Sequence, residues 1–539
     1  MKKKLIYYLV GISFASSILF TGCIDETVPT NTIIKDQLAS SAKSTEALLW
    51  AIPAFANKYN VLALTDQAQA YDWGYGSIMH VRDVMTEEMT VVSSGYNWYS
   101  PWAQNVGTGE SQMRAQFIWL YYWQFILTAN NMIATIDPET ATNVQLGYLG
   151  AGYAFRAMLY LDLAQMYEFL ENDATNAVNV AGNNVLNLTV PIVDETTTEE
   201  QARNNPRVPR QQMYEFILSD LDKAEKDIQY FTRSSKVLPD LSVVYGLKAR
   251  LYMWVGDYAN AQTYARQAIG AGSYTPTTRE QWLNTTTGFN DLSTPSWMLG
   301  SQMMSDDDVV KTGILNWTSW MSNETTFGYA SAGPYTMIDA RIYDMISDND
   351  FRKLSWKAPD GKPLAGKTPY IDVDLGAELP DYASIKFRPA QGNIDEYSVG
   401  AASAYPMMRI EEMYFIEAEA AAHQNAAAGK ALLENFMKTY RYNTYTCPAS
   451  DTEGVVNEIF LQKRIEFWGE GISFFDYKRL NKTVTRGYTG TNHPDAERFN
   501  TTTRPAWMNI VIIISEKNNN AALMGYENPD PTGLYTPWR

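Results

Sequence analysis

The chain is poor in the residues that build metal centres and cross-links. Its 539 residues include two cysteines, Cys23 and Cys447, and three histidines, His80, His423 and His493. The histidines are far apart, none lies in an H-E-x-x-H pattern, and there is no cysteine pair for zinc. No metal or other cofactor is expected. There is no G-x-S-x-G elbow of a serine hydrolase. Positive charge is also short: 43 Lys and Arg face 60 Asp and Glu, a net charge of −17. Loss of residues 1–22, with their three lysines and no acids, would bring it to −20. Such a chain repels phosphate, which argues against a nucleic-acid partner. It also makes neutral sugar a more natural ligand than anionic polysaccharide, unless a local basic patch intervenes.

The apolar run Leu5 to Phe20 is shorter than the roughly 20 residues a membrane helix needs. It follows Lys2, Lys3 and Lys4 and ends in Phe20-Thr21-Gly22-Cys23, which resembles a bacterial lipoprotein box. Residues 1–22 are read as a signal peptide and Cys23 as the lipidation site. Acyl chains there would hold the protein to a membrane without a spanning helix. With Cys23 lipidated, no intrachain disulfide can form, so packing must supply the stability. The polar residues up to about 45 read as a tether.

What is abundant is helix pattern and aromatic side chains. Phe155, Leu159, Leu163 and Met166 share one face of a helix expected over 147–169. Met213, Ile217, Leu221 and Ala224 do so over 208–230. FIWLYYWQFILTANNMIATI (117–136) is apolar on nearly all sides and reads as a buried helix. Residues 241–269 read as two antiparallel helices broken at Gly256-Asp257. Tyr245, Ala249, Tyr252, Gly256, Tyr258, Ala261 and Ala268 fall at tetratricopeptide spacing, with Lys248 where that motif prefers Leu. A further pair is expected around 409–442. Stacked pairs let a long chain keep one continuous core. Residues 272–408, rich in Thr, Ser, Gly, Pro and Asp, are expected to form a loop-rich sub-domain with short strands such as 296–304. The expected fold is therefore mainly α, a tetratricopeptide-like helical-pair scaffold over residues 46–539 carrying that sub-domain.

Two motifs are set aside. GKPLAGKT (361–368) fits the phosphate-loop pattern, but a polar segment precedes it and Pro369 with a strand-like run follows, so no helix N-terminus faces a phosphate. Asp306-Asp307-Asp308 lacks the alternating ligand spacing of a calcium loop and reads as a solvated turn.

The aromatics in loops carry the functional reading. In SSGYNWYSPWAQ (93–104), Gly95 and Pro101 argue against a helix, yet Tyr96, Trp98, Tyr99 and Trp102 crowd together. In YDWGYG (71–76), Tyr71, Trp73 and Tyr75 alternate, so an extended chain would present them on one side. NWTSWMSNETTFGY (316–329) offers Trp317, Trp320, Phe327 and Tyr329 among Thr, Ser and Asn. Rings beside amides and hydroxyls suit a neutral sugar, whose C–H faces stack while its hydroxyls exchange hydrogen bonds. The expected ligand-binding residues are Trp73, Tyr96, Trp98, Tyr99, Trp102, Trp317 and Trp320, with Asn97 and Gln104 as polar partners.

Several segments in order resemble the SusD/RagB family of Bacteroidetes surface lipoproteins. They are TANNMIATID (128–137), GYAFRAMLYLDLAQMYE (152–168), VPIVDE (190–195), NPRVPRQQMYEFILSDLDKAEKDI (205–228), IDARIYDMISDNDFRK (338–353), YPMMRIEEMYFIEAEA (405–420) and EIFLQKRIEFWGEGISFFDYKRL (458–480). In the last, Phe474 stands where Arg is common, and Lys463 before Arg464 where Glu is usual. The resemblance implies a helical scaffold tethered to the outer face of the outer membrane. It implies capture of oligosaccharide, or in some members peptide, for a SusC-like TonB-dependent transporter, without catalysis. Asp25 and Glu26 look like the acidic export signal of such lipoproteins. Arg156, Arg409, Glu412, Glu417, Glu419, Arg464 and Glu466, within these segments, are read as buried ion pairs that fix helix packing. The alternatives are a peptide binder or lid on the same fold, and a glycoside hydrolase. The hydrolase would need two carboxylates about 5–9.5 Å apart in an aromatic cleft, which the adjacent pairs Glu87-Glu88 and Glu411-Glu412 do not themselves make.

Overall fold

The computed structural model describes residues 42–64 and 68–539. The expected signal peptide, Cys23, Asp25, Glu26 and most of the tether lie outside the described residues. The first helix, α1 (Ala42–Phe55), already begins inside the stretch read as tether. It is followed by α2 (Tyr75–Val84), α3 (Met113–Ile133), α4 (Asn143–Tyr167), α5 (Arg210–Asp227), α6 (Leu241–Val255) and α7 (Tyr258–Ala271). After a long irregular region come α8 (Ile410–Gln424), α9 (Ala426–Tyr440), α10 (Thr452–Glu466) and α11 (Ser473–Arg479).

From α3 to α9 each helix packs on the next, so the array is built of neighbouring pairs. Local chemistry fixes where the helices start and stop. Thr142 and Gln145 form a reciprocal capping box at the head of α4. Asp240 accepts from Val243 N (3.0 Å) and Asp257 from Asn260 N (3.1 Å), opening α6 and α7. Between these two helices Gly256 takes φ 77°, a left-handed cap that glycine adopts without strain. Ala249 on α6 and Ala261, Ala265 and Ala268 on α7 are all buried, and small side chains there let the two backbones approach. Lys248, the departure from the motif, is buried with its ammonium on Asp222 (2.6 Å) and Glu225 of α5.

The expected helical faces are buried: Phe155, Leu159, Leu163 and Met166 on α4, and Met213, Ile217, Leu221 and Ala224 on α5. In α3 the rings Phe117, Trp119, Tyr121, Tyr122 and Phe125 are all buried, as its two-sided apolar pattern requires.

Residues 272–408 carry no helix longer than six residues. Two antiparallel ribbons organise them: β1 (Met89–Val91) with β3 (Thr336–Ile338), and β2 (Trp297–Gln302) with β4 (Ala404–Arg409). The loop-rich region keeps only a small cluster of its own, Met337, Leu379, Ala383 and Ile385, and otherwise shares the main interior. Trp282, Trp297, Trp317 and Trp320 belong to the same hydrophobic cluster as the α3, α4 and α6 side chains. GKPLAGKT forms turns with no helix behind it until Val373, and Thr368 bonds the Trp356 carbonyl (3.1 Å).

The family segments supply the buried charge. Arg156 binds Asp220 through Nε (2.7 Å) and Nη2 (2.9 Å). Arg250 grips Glu412, Arg266 grips Glu417, and Arg464 reaches both Glu87 and Glu88. Glu466 accepts from Arg352, Arg409 and Arg441, all fully buried. Long-range pairs of this kind tie α8 and α10 to the loop region and fix its register.

Candidate functional site

The β1–β3 pairing sets Val91 opposite Thr336. The loop leaving β1 therefore lies beside the loop entering β3, and Val92 N donates to Tyr335 O (3.1 Å). The first loop carries Tyr96 and Trp98, the second Tyr329. Tyr96 is 57% exposed and Trp98 40%. Tyr329 is half-buried. Burial raises the Tyr329 hydroxyl pKa, and the Trp98 indole N–H turned toward its oxygen opposes that rise. Tyr96 lies near enough to add to it.

The backbone under these rings is held by short-range bonds. Asn97 N donates to Ser94 O (3.1 Å), Tyr96 N to Ser94 Oγ (3.1 Å), and Tyr99 N to Asn97 Oδ1 (3.2 Å). Beneath, Tyr329 stacks on Trp320 at 4.2 Å and 20°. Trp320 meets Tyr99 edge-on at 4.7 Å, and Tyr99 meets His80 edge-on at 4.3 Å. The half-buried Tyr329 thus rests on rings buried below, an arrangement that limits its rotamers before any ligand arrives.

Most of the expected site residues are part of that foundation. Tyr99, Trp102, Trp73, Trp317 and Trp320 are at most 3% exposed. They fill the core and present no face to a ligand, which corrects the reading of these five as surface rings. Each has an identifiable cause. Pro101 is tolerated in a first helical turn, and Ser100–Ala103 forms one that turns Trp102 onto Tyr71 (5.1 Å, edge-on). Asn316 caps a short helix, Trp317–Met321, by accepting from Ser319 N (3.0 Å), which drives Trp317 against Tyr405 and Trp320 against Tyr329. Tyr71 and Tyr75 are buried with Trp73, because the chain bends at Gly74 (φ 102°) instead of continuing extended. A Cβ at Gly74 would stand 2.3 Å from the Ala56 carbonyl oxygen, so only glycine fits there.

The polar partners are corrected too. Asn97 is buried and spends its side-chain oxygen on the Tyr99 amide. Gln104 turns inward to Glu497, whose carboxyl burial pushes up to about 7 against the opposing effects of Arg486 and Gln104. Exposed hydroxyls on the two loops come instead from Ser93 and Ser331. Tyr329, an aromatic of the 316–329 stretch, is not among the expected ligand-binding residues. Its signal is the turn chemistry around it, Gly328 before and Gly333 after, both at positive φ.

His80 under the platform has no hydrogen-bond partner on either ring nitrogen, and burial drives its pKa down to about 3. An unfolded histidine titrates near 6.5, so the unfolded state binds the proton first as pH falls. Stability is therefore expected to drop between pH 6.5 and 3 by on the order of 3–4 kcal/mol from this group. Denaturant melts across that window should show a shallower pH slope in His80→Leu than in the wild type.

Among the described residues no helix is long and apolar enough to cross a membrane, and no cluster of His, Cys, Asp and Glu has metal-ligand geometry.

The chain and its fold have known relatives. A sequence profile of the SusD family matches residues 253–529, just over half the chain. A second profile, described as starch-binding associating with outer membrane, matches residues 52–253. The chain belongs to the SusD family. SusD-like protein P38 of Formosa agariphila is 22% identical over 399 residues, covering 68% of this chain and 72% of that protein. A SusD-like carbohydrate binding protein from Bacteroides vulgatus shares the fold with a TM-score of 0.68 at 22% identity, over 91% of this chain and 98% of that one. A SusD superfamily protein from Bacteroides thetaiotaomicron does so with a TM-score of 0.68 at 17% identity, over 91% and 100%.

Proposed function

We propose that this protein is a non-enzymatic, cell-surface glycan-binding lipoprotein that presents oligosaccharide to a SusC-like TonB-dependent transporter. In this reading residues 1–22 are removed and the residues from Cys23 up to α1 tether the protein to the outer membrane by lipid on Cys23. The SusD-like body, 46–539, binds the ligand. The observation that carries it is the pair of exposed rings, Tyr96 and Trp98, with the Trp98 indole turned to the Tyr329 hydroxyl and Tyr329 stacked on the buried Trp320. A pyranose can lay its C–H face on Trp98 and meet Ser93 or Ser331 with its hydroxyls. The outer-membrane starch-binding profile over residues 52–253, which include Tyr96 and Trp98, supports the same ligand class. Against a hydrolase, Glu87 and Glu88 are both bonded to Arg464, and Glu411 lies 3.1 Å from Arg409. Neither adjacent pair is free to act as acid and base.

The test is affinity electrophoresis of residues 24–539 against a panel of soluble polysaccharides. Retardation by at least one neutral glycan, with no release of reducing ends, is expected. No retardation by any glycan would overturn the reading in favour of a peptide ligand or a lid.

A further inference from the structure

The protein is strongly acidic as a whole, yet one cleft in it is basic. It lies where α4 ends, α5 begins and α11 passes, and its volume is about 340 Å³. That is near the lower end of small-molecule sites, about 300–1,000 Å³, and suits a single ring better than a polymer. The platform rings Tyr96, Trp98 and Tyr329 are not among the residues that line it.

Four cations line this cleft: Arg210, Lys478, Arg479 and Arg504. Arg210 is matched by Glu168 (2.5 Å), which also accepts from Trp254 Nε1 (3.0 Å) and is thereby used up. Arg479 shares Glu419 and Asp476 with Lys463. Lys478 and Arg504 have no carboxylate within salt-bridge distance among the described residues. Lys478 Nζ donates only to the carbonyls of Met166 (3.1 Å) and Met508 (2.8 Å). Arg504 donates to Asn481 Oδ1 (2.9 Å) and to the Lys478 carbonyl (2.5 Å). Arg479 also keeps Nη1 buried with no partner.

A buried cation with no carboxylate partner is costly; Lys478 is one, and the half-buried Arg504 lines the same cavity. Burial pushes the Lys478 amine well below its usual range, and although Glu168 opposes this, Arg504, Arg207 and Arg210 add to it. An anion seated in the cleft would relieve both the repulsion and the unused guanidinium donor. Leu170, Leu186 and Phe475 add carbon surface to the lining, which also holds the carboxylate of Glu171 near Arg504. That carbon surface favours an organic anion with a carbon face over a bare inorganic one.

We propose that this cleft is a second ligand site, one for a small organic carboxylate, gripped by Arg504 and Arg479 with Arg210 at the rim. Arginine forks match a carboxylate in two parallel hydrogen bonds, and the Phe475 side supports the carbon skeleton.

The experiment compares D-glucuronate with D-glucose, a matched pair in which one carries the carboxylate. Calorimetric titration in low-chloride buffer is run on residues 24–539 of the wild type, Arg504→Gln, Arg210→Gln and Trp98→Ala. Glucuronate is expected to bind wild type and Trp98→Ala equally and at least tenfold more weakly in Arg504→Gln, while glucose shows no heat at this site. Inorganic phosphate should bind more weakly than glucuronate. Equal binding of glucose and glucuronate would overturn the proposal. So would wild-type affinity for glucuronate in both arginine variants, or tighter binding of phosphate. Should Arg504→Gln fail to fold, Arg210→Gln gives the same reading through a residue one-third exposed.

Discussion

Replacing Glu466 with alanine is expected to remove about 3–5 kcal/mol of stability. Glu466 is fully buried and bonds three arginines: Oε1 takes Arg409 Nη1 (3.1 Å) and Arg441 Nη2 (2.6 Å), and Oε2 takes Arg352 Nη1 (2.9 Å) and Arg441 Nε (2.8 Å). Burial alone would push its carboxyl up. Arg441, Arg409 and Arg352 outweigh that and hold it well below the ordinary carboxylate range. Alanine leaves three desolvated guanidinium groups short of an anion. Asp350, Glu411 and Glu470 still contact Arg352 and Arg409, so the loss is large but not the full desolvation of three charges. The chain position matters as much as the charge. Glu466 ends α10, Arg352 lies in the loop region, Arg409 closes β4 and Arg441 follows α9, so one residue joins four segments. Urea melts at pH 7 check this. A control at the exposed pair Arg203–Glu199, 63% and 81% accessible, should show no measurable change. A Glu466→Ala midpoint equal to wild type would contradict the structural role given to this network.

Replacing Trp320 with alanine is expected to cost about 3–5 kcal/mol, the range for deleting a large aromatic from a core. Trp320 is fully buried, stacked on Tyr329 at 4.2 Å and edge-on to Tyr99 at 4.7 Å. It is also the layer on which Tyr329, the partner of the Trp98 indole, rests. The variant should therefore lose both stability and glycan retardation, whereas Trp98→Ala should lose retardation alone. Thermal melts run beside the electrophoresis separate the two. A Trp320→Ala protein that melts like wild type would contradict its placement in the core.

The difference between these two tryptophans is also where sequence reading stops. The helical array was legible because its apolar side chains recur at the helical period, and because Gly256-Asp257 and the Asx caps mark the breaks. The buried ion pairs were legible too, since charged residues among alanines and rings on helices have few other uses. The loop aromatics were not. Amide and hydroxyl neighbours looked like sugar ligands, but most of them satisfy backbone: Asn97 holds the Tyr99 amide, Asn316 the Ser319 amide, and Asn323 the carbonyls of Thr336 and Ser384. A buried irregular segment needs such partners as much as a binding site does. Composition cannot separate the two uses. Alternation at 71–75 misled for a related reason, because the φ of Gly74 breaks the extended path that period-two reasoning assumes. The β1–β3 register, which sets Tyr329 beside Trp98, joins positions more than 200 residues apart and leaves no local trace. The same holds for the basic cleft, whose arginines come from residues 210, 479 and 504.

The most direct measurement is calorimetric titration of the best-retained glycan into wild type, Trp98→Ala, Trp98→Tyr and Trp538→Ala. Trp538 is a tryptophan of nearly equal exposure, 39%, outside the two platform loops. The expected result is affinity at least tenfold weaker in Trp98→Ala, about 1.4 kcal/mol or more, with substantial recovery in Trp98→Tyr and no change in Trp538→Ala. All four proteins should melt together. Wild-type affinity in a folded Trp98→Ala protein would contradict the platform at Tyr96, Trp98 and Tyr329 as the glycan site.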